Sequence, residues 1–299
     1  MRILESQSAM EYLMTYSWAI LLLAITLGAL FYIGVLGGAS AHKGSAPPGA
    51  CRVVRPNGVN TTQFISLNGE CNGALPQYVA QFSGQNSYVN LGNNPSLSPE
   101  AGSSGKMTVC GWFDVLSLNN YYGFLIKGKS FPSSGSEWEY TIGQGNSESY
   151  IVWTGSGTNI ATYTVSLPAV STWYFTCFAY NYATGSAFTV VNKTVYSASF
   201  TSGVTATAGT GNLILGSGES GFSNVELANF QIYNTSLSTN EIKSLYLEGI
   251  GGAPIDLQNL VGWWPLNGNA QDYSGNNNNG QINGPVLFNT SWESGYTTP

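Results

Sequence analysis

From Tyr12 to Ala41 the chain carries no charged residue, and Trp18 to Leu36 is apolar apart from Thr26 and a few small residues. A helix over Tyr12–Leu36 would be roughly 37 Å long at 1.5 Å per residue. The hydrocarbon core of a bilayer is roughly 30 Å thick, so the segment is long enough to span it with some tilt. It exceeds the roughly 7–15 apolar residues of a secretory signal, and Ala39-Ser40-Ala41 only weakly imitates a cleavage site. The stretch therefore divides the chain: an apolar helix in front, and a remainder that folds apart from it, beyond the cytoplasm. Glu11 stands where the run begins. A lone acid there is costly unless it is paired or stays at the interface, where it favours the helix dipole.

The remainder reads as β-structure. Of 299 residues only 8% are charged, with a net charge of −6, which leaves no basic field for nucleic acid. Short strand signals recur at Tyr78–Phe82, Tyr88–Leu91, Met107–Val115, Tyr122–Ile126, Glu139–Ile142, Tyr150–Trp153, Ile160–Val165, Trp173–Tyr180, Ala187–Val191, Asn212–Leu215 and Leu227–Tyr233. Polar turns separate them, which predicts a sandwich or jelly roll. One helix interrupts the pattern. Ser238-Thr239-Asn240-Glu241 is a capping box, Ile242, Leu245 and Tyr246 share a face, and Gly249 and Gly251 end it. Gly37 to Ala50 has linker composition. Between Cys51 and Cys71 lie the hairpin signals Asn57-Gly58 and Asn68-Gly69, so this stretch reads as a β lead-in stapled by a disulfide worth about 3 kcal/mol.

The four cysteines, Cys51, Cys71, Cys110 and Cys177, form no C-x-x-C pair, and His42 is the only histidine. A zinc cage is therefore not expected. An even count behind an apolar segment reads as two disulfides in an oxidising compartment, the alternative being buried thiols.

Two resemblances add to this reading. Gln7-Ser8-Ala9-Met10-Glu11-Tyr12-Leu13-Met14-Thr15-Tyr16, with Trp18-Ala19-Ile20, resembles the class III signal peptide of archaeal type IV pilin-like proteins. It implies cleavage between Ser6 and Gln7, retention of the helix as anchor and filament core, and pairing of Glu11 with a neighbouring subunit's amine. Such a pair would select register more than it adds stability. Glu5-Ser6 departs from the basic residue and glycine that usually precede the cut. The second resemblance rests on Phe82–Gly92, Met107–Phe113, Trp173–Phe178 and Ala228–Asn234 leading into Glu241-Ile242; these are similar to laminin-G-like, concanavalin A-like jelly rolls. Strands bearing Trp112 and Trp173–Phe178 are neighbours in that family, which implies a Cys110–Cys177 disulfide and leaves Cys51 with Cys71. Val261–Asn276 resembles the family's opening segment, here placed last. Residues 260–299 would then complete the sandwich by permutation, add a strand to a neighbour, or form a truncated repeat; two adjacent tryptophans favour the first. The family also implies a structural calcium site, with Asp272 as ligand and Asn229 where an acid usually stands. Read on its own, Asp272 with Ser274, Gly275 and Asn276–Asn279 is a turn.

Glu137 and Glu139 fall on one strand face, read as solvent-facing, and no third acid follows at glucanase spacing. One histidine in a linker rules out a Ser-His-Asp triad within the sandwich. Sequons at Asn60, Asn192, Asn234 and Asn289 match what chance predicts. Tyr121 and Tyr122 join Trp138, Tyr150 and Trp153, the last three being the candidates to stack on sugar rings.

The expectation is thus a mainly β chain: leader 1–6, apolar anchor helix 7–40, linker and stapled segment 41–76, and a jelly roll over 77–299. It would be a non-catalytic extracellular protein, membrane-anchored or assembled through its N-terminal helix, that displays a lectin-like surface to a glycan or surface protein. A monomeric tethered binding module is the alternative, and a cell-wall hydrolase is disfavoured by the missing acids.

Overall fold

The computed structural model of the chain describes residues 16–18, 21–26, 51–56, 62–67 and 75–299, except 102–103, 118–121, 129–137, 146–148, 155–160, 167–169, 198, 201–207, 219–220 and 298. Backbone placement alone is described at 51–56, 62–67, 122, 138, 144–145, 149–154, 161–166 and 199–200. The chain forms two compact units, Met1–Ala46 and Pro47–Pro299.

In the first unit, 16–18 and 21–26 are helical, with Tyr16, Trp18, Leu21, Leu22, Leu23 and Ile25 exposed. Among the described residues no helix is long and apolar enough to cross a membrane. The expected helix over 7–40 is described only in these two stretches; Ser6, Gln7 and Glu11 lie outside the described residues.

The second unit is built on two antiparallel sheets, with strands numbered in chain order. The first sheet runs β12 (Thr194–Ser197), β11 (Ser186–Val191), β10 (Trp173–Asn181), β5 (Lys106–Val115), β17 (Asn224–Tyr233), β3 (Val79–Ser83), β20 (Leu287–Asn289), and β18 (Leu260–Trp264) also pairs with β17. The second runs β13 (Ser199–Phe200), β9 (Ala161–Ser166), β8 (Ser149–Thr154), β7 (Trp138–Gly145), β6 (Tyr122–Gly128), β14 (Leu213–Leu215), β4 (Tyr88–Asn90), β19 (Gln281–Asn283). Two small hairpins, β1 (Cys51–Pro56) with β2 (Thr62–Leu67) and β15 (Ser217–Gly218) with β16 (Gly221–Phe222), complete it. Thus β18, β19 and β20, all from beyond residue 259, join strands of both sheets.

Alternation along β5 explains the layering. Met107, Val109, Phe113 and Val115 join the core with Phe82, Phe124, Phe178 and Trp264, and the Phe113 and Phe124 rings stack at 4.3 Å. The opposite face of β5 gives Cys110 and Trp112 to a second apolar cluster with Phe175, Tyr246 and Trp292. Because β5 is buried on both faces, it reads as a nearly unbroken apolar run. The cross-strand pair Cys110–Cys177 is a disulfide with Cα atoms 4.1 Å apart, as the jelly-roll resemblance implied. Cys51 falls on β1 opposite Leu67, and Cys71 lies outside the described residues, so their proposed pairing does too.

Helix α1 (Thr239–Leu247) covers this second cluster. Its N-terminus is closed as the sequence reads: Ser238 Oγ accepts from the Glu241 amide at 3.3 Å, and Glu241 Oε2 accepts from the Ser238 amide at 2.7 Å. Ile242, Leu245 and Tyr246 are buried, and Tyr246 stacks on Trp112 at 5.8 Å. Each such side chain contributes roughly 1.5–3 kcal/mol. Past α1, Gly249 takes φ +80°, a left-handed conformation suited to glycine.

After β20 the chain crosses the same outer face as a strap. Trp292 Nε1 donates to the Pro76 carbonyl, Trp173 Nε1 to the Trp292 carbonyl, and the Trp173 amide to the Gly295 carbonyl.

Candidate functional site

Charges are scarce in this chain, so a charge inside an apolar strand is informative. Besides Glu139 of β7, three such residues, Lys127 in β6, Asp114 in β5 and Glu226 in β17, are buried. None was singled out by motif; the missed signal is a lone charge flanked by core residues, as in Phe124-Leu125-Ile126-Lys127.

Lys127 Nζ lies 3.0 Å from Glu139 Oε2, with both side chains inaccessible. This corrects the solvent-facing reading of Glu139: its β7 position abuts β6, and the ammonium there draws the carboxylate inward. Lys127 also donates to Asn93 Oδ1 and to the Gly211 carbonyl, and Ser98 Oγ donates to Glu139. Nearby Glu100 is fully buried, and neither of its carboxyl oxygens has a hydrogen-bond partner. Burial first, and the neighbouring Glu139 charge second, push its pKa up to about 8. Burial likewise raises Glu139, opposed by Lys127.

Asp114 and Glu226 face each other across β5 and β17, in a row with Trp173 of β10 and Gln81 of β3. Burial, then Glu226, pushes Asp114 up to about 7, although the Thr172 amide bonds to it. Burial also raises Glu226, against the bond that Asn289 Nδ2 donates to its Oε1 at 2.6 Å. The pair can share protons, but Asn289 of the strand leading into the strap closes one side of it.

The sequence-nominated aromatics fall together on neighbouring strands of the second sheet. Trp138 is on β7 opposite Gly128, Tyr150 on β8 opposite Gln144, and Trp153 on β8 opposite Thr141. Tyr122 on β6 is also opposite Gln144, so backbone register sets Tyr122, Gln144 and Tyr150 in one row. Their side chains, and Tyr121 and Glu137 altogether, lie outside the described residues.

The family described as the concanavalin A-like lectin/glucanases superfamily matches residues 83–243, more than half of the chain. The chain belongs to this superfamily. No curated protein matches it. Among solved structures, a candidate carbohydrate-binding protein from Bacteroides ovatus ATCC 8483 is similar at TM-score 0.52 and 17% identity; the alignment covers 78% of this chain and 64% of that one. A Ruminococcus gnavus sialidase module (CBM40), bound to α2,3-sialyllactose, gives TM-score 0.44 and 14% identity over 57% of this chain and 97% of that one. A Limulus polyphemus pentraxin gives TM-score 0.43 and 12% identity over 57% and 82%. At 17% identity the likeness to the Bacteroides protein speaks to fold alone, and the alignment covers 64% of that protein's length.

The donor set expected for calcium is engaged elsewhere. Asp272 Oδ1 accepts from the Trp263 and Ser274 amides, and Oδ2 from Ser274 Oγ and the Asn278 amide, all within 3.0 Å. Asn229 sits on the other side of Trp263, its Oδ1 accepting from Trp263 Nε1 and Gln231 Nε2. Oxygens already saturated by N–H and O–H donors do not fit a cation, and among the described residues no group of three or more His, Cys, Asp or Glu side chains is placed to hold one. The two residues instead lock Trp263. Asn229 has φ +52° inside a β17 bulge, where the register shifts between Ala228 and Gln231, and this turns Phe230 into the core against Gly111.

Proposed function

We propose that this protein is a non-catalytic, lectin-like surface subunit that binds glycan through the β6–β8 surface of its sandwich. The superfamily match on a two-sheet sandwich carries this reading, and the placement of Tyr122, Trp138, Tyr150 and Trp153 on three adjacent strands supports it. The buried carboxylates support the absence of hydrolysis. Asp114 and Glu226 are 2% and 4% exposed, Glu226 is tied to Asn289, and Glu139 is held by Lys127. A glycosidase pair must reach the scissile bond from both sides.

Full-length protein in detergent, probed against a glycan array, is expected to bind. Trp153→Ala should weaken the hit roughly tenfold, the equivalent of about 1.4 kcal/mol for a lost stacking face, whereas Tyr150→Ala, at a register position of the opposite β8 face, should leave it unchanged. An array without hits, or hits untouched by Trp153→Ala, would sink the glycan reading.

The display role extends the proposal to the N-terminus. The uncharged Tyr12–Ala41 run serves as membrane anchor and as the assembly helix of a pilin-like subunit, after cleavage between Ser6 and Gln7, with Glu11 meeting a neighbour's amine. The Cys110–Cys177 disulfide suits the oxidising side of a membrane. Protein from native membranes is expected to begin at Gln7 and to sediment as filaments, and Glu11→Ala is expected to abolish sedimentation. A soluble cytoplasmic product starting at Met1 would overturn this part and leave the glycan test intact.

A further inference from the structure

An ammonium has three hydrogens to place, and Lys127 places all of them on oxygen: Asn93 Oδ1 at 2.5 Å, the Gly211 carbonyl at 2.9 Å and Glu139 Oε2 at 3.0 Å. These acceptors come from three separate segments: the loop after β4, the loop before β14, and β7. A side-chain amide oxygen, a main-chain carbonyl and a carboxylate make the mixed oxygen set that hard cations take. An ordinary ion pair needs only Glu139. Here neutral oxygens converge on the same charge, Ser98 Oγ orients the carboxylate, and Glu100 adds a second carboxyl, fully buried and without a hydrogen-bond partner. That spare carboxyl lies close enough to feel the charges of both Lys127 and Glu139. The Tyr140 hydroxyl donates to the Leu97 carbonyl beside it, so the shell around the cage is polar as well.

We propose that this cluster is an oxygen-lined cation site whose resident cation is the Lys127 ammonium, so that two loops and strand β7 are tied together without a metal ion. The side chain brings the charge with it, and the stem fills the approach from the core. It follows that removing the whole stem should leave a vacant cage of the right chemistry for calcium. Removing only the charge should leave the cage blocked.

The test uses full-length protein in detergent and compares melting in EDTA with melting in millimolar calcium chloride. Wild type is expected to melt at the same temperature in both. Lys127→Ala should melt roughly 10 °C lower in EDTA and recover at least half of the loss in calcium, with little recovery in magnesium, which demands a tighter octahedron. Lys127→Met, which fills the space with an apolar chain, should be lowered similarly and not recover. If Lys127→Ala does not fold, refolding with and without calcium is the readout, and calcium should restore folding. Calcium without effect on Lys127→Ala, equal rescue of Lys127→Met, or a rise of several degrees in wild type with calcium would each overturn the proposal.

Discussion

At one end of the sandwich Glu139 is buried against an ammonium, whereas on the outer face of the first sheet Asp114 and Glu226 are buried against each other. The first cluster satisfies its ammonium with a counter-charge and two neutral oxygens. The second holds no cation among the described residues; it meets the cost by holding protons, by the Thr172 amide on Asp114 and by the Asn289 amide on Glu226. The lesson is that burial alone does not decide the state of a carboxylate. Glu100 shows this most sharply, for it shares the Lys127 neighbourhood yet takes no bond from it, and its carboxyl stays neutral up to about pH 8.

The comparison is tested hardest by pH. Glu100 rises from 4.5 to about 8 on folding, so between those values the folded chain keeps a proton that the unfolded chain has lost. Its contribution is fully present below pH 4.5 and is lost as pH climbs through 8, a change of about 5 kcal/mol. Asp114, Glu226 and Glu139 are raised too, so they add in the same direction. Urea midpoints should therefore fall steadily from pH 5 to pH 9. Glu100→Gln should flatten much of that slope and exceed wild type at pH 9; parallel curves would show that Glu100 is not the titrating group.

Next in size is the loss of the counter-charge. Lys127→Met at pH 7 leaves Glu139 buried beside Glu100 without an ammonium, at a cost of about 3–5 kcal/mol. Asp114→Asn is the matching change in the cation-free pair, and there the sign reverses. It removes a group that resists ionisation, so at pH 8 it should stabilise by about 1–2 kcal/mol, after discounting for solvent screening, and by a fraction of that at pH 5, just above the ordinary value of 3.8. Equal losses from both substitutions would erase the distinction between the clusters.

Much of the β architecture was legible because it is written locally. Met107–Val115 and Trp173–Tyr180 were read as strands within a residue of their ends, and the capping box at Ser238 announced α1. Register was less so. The Cys110–Cys177 pairing came from a resemblance, and the bulge at Asn229 has no local signature, since a left-handed asparagine is set by what Phe230 packs against. For the same reason Asp272 and Asn229 suggested ligands. Asparagine and aspartate in a turn are as ready to accept main-chain amides as to hold calcium, and only the placed Trp263 decides between them. Lys127 is not marked by any motif, and Glu139 reads as solvent-facing, because a sequence does not say which lone charges on adjacent strands will meet.

The smallest effect belongs to Asn289, and it asks how the cation-free pair is held. Its Oδ1 accepts from the Ser291 amide at 2.8 Å and its Nδ2 donates to Glu226, so the side chain joins the β20 end to the sheet face. A hydrogen bond to an ionised carboxylate is stronger than one to a neutral acid. Asn289→Ala should therefore cost about 1–2 kcal/mol at pH 8 and less at pH 5, where Glu226, already raised by burial, carries more of its proton. Asn289→Asp should cost more at pH 8, because it sets a third acid against the pair, and should recover on acidification. Urea midpoints at the two pH values read both variants. If Asn289→Ala loses the same stability at pH 5 as at pH 8, the bond is made to a carboxyl that stays neutral throughout, and the pair is held by protons alone.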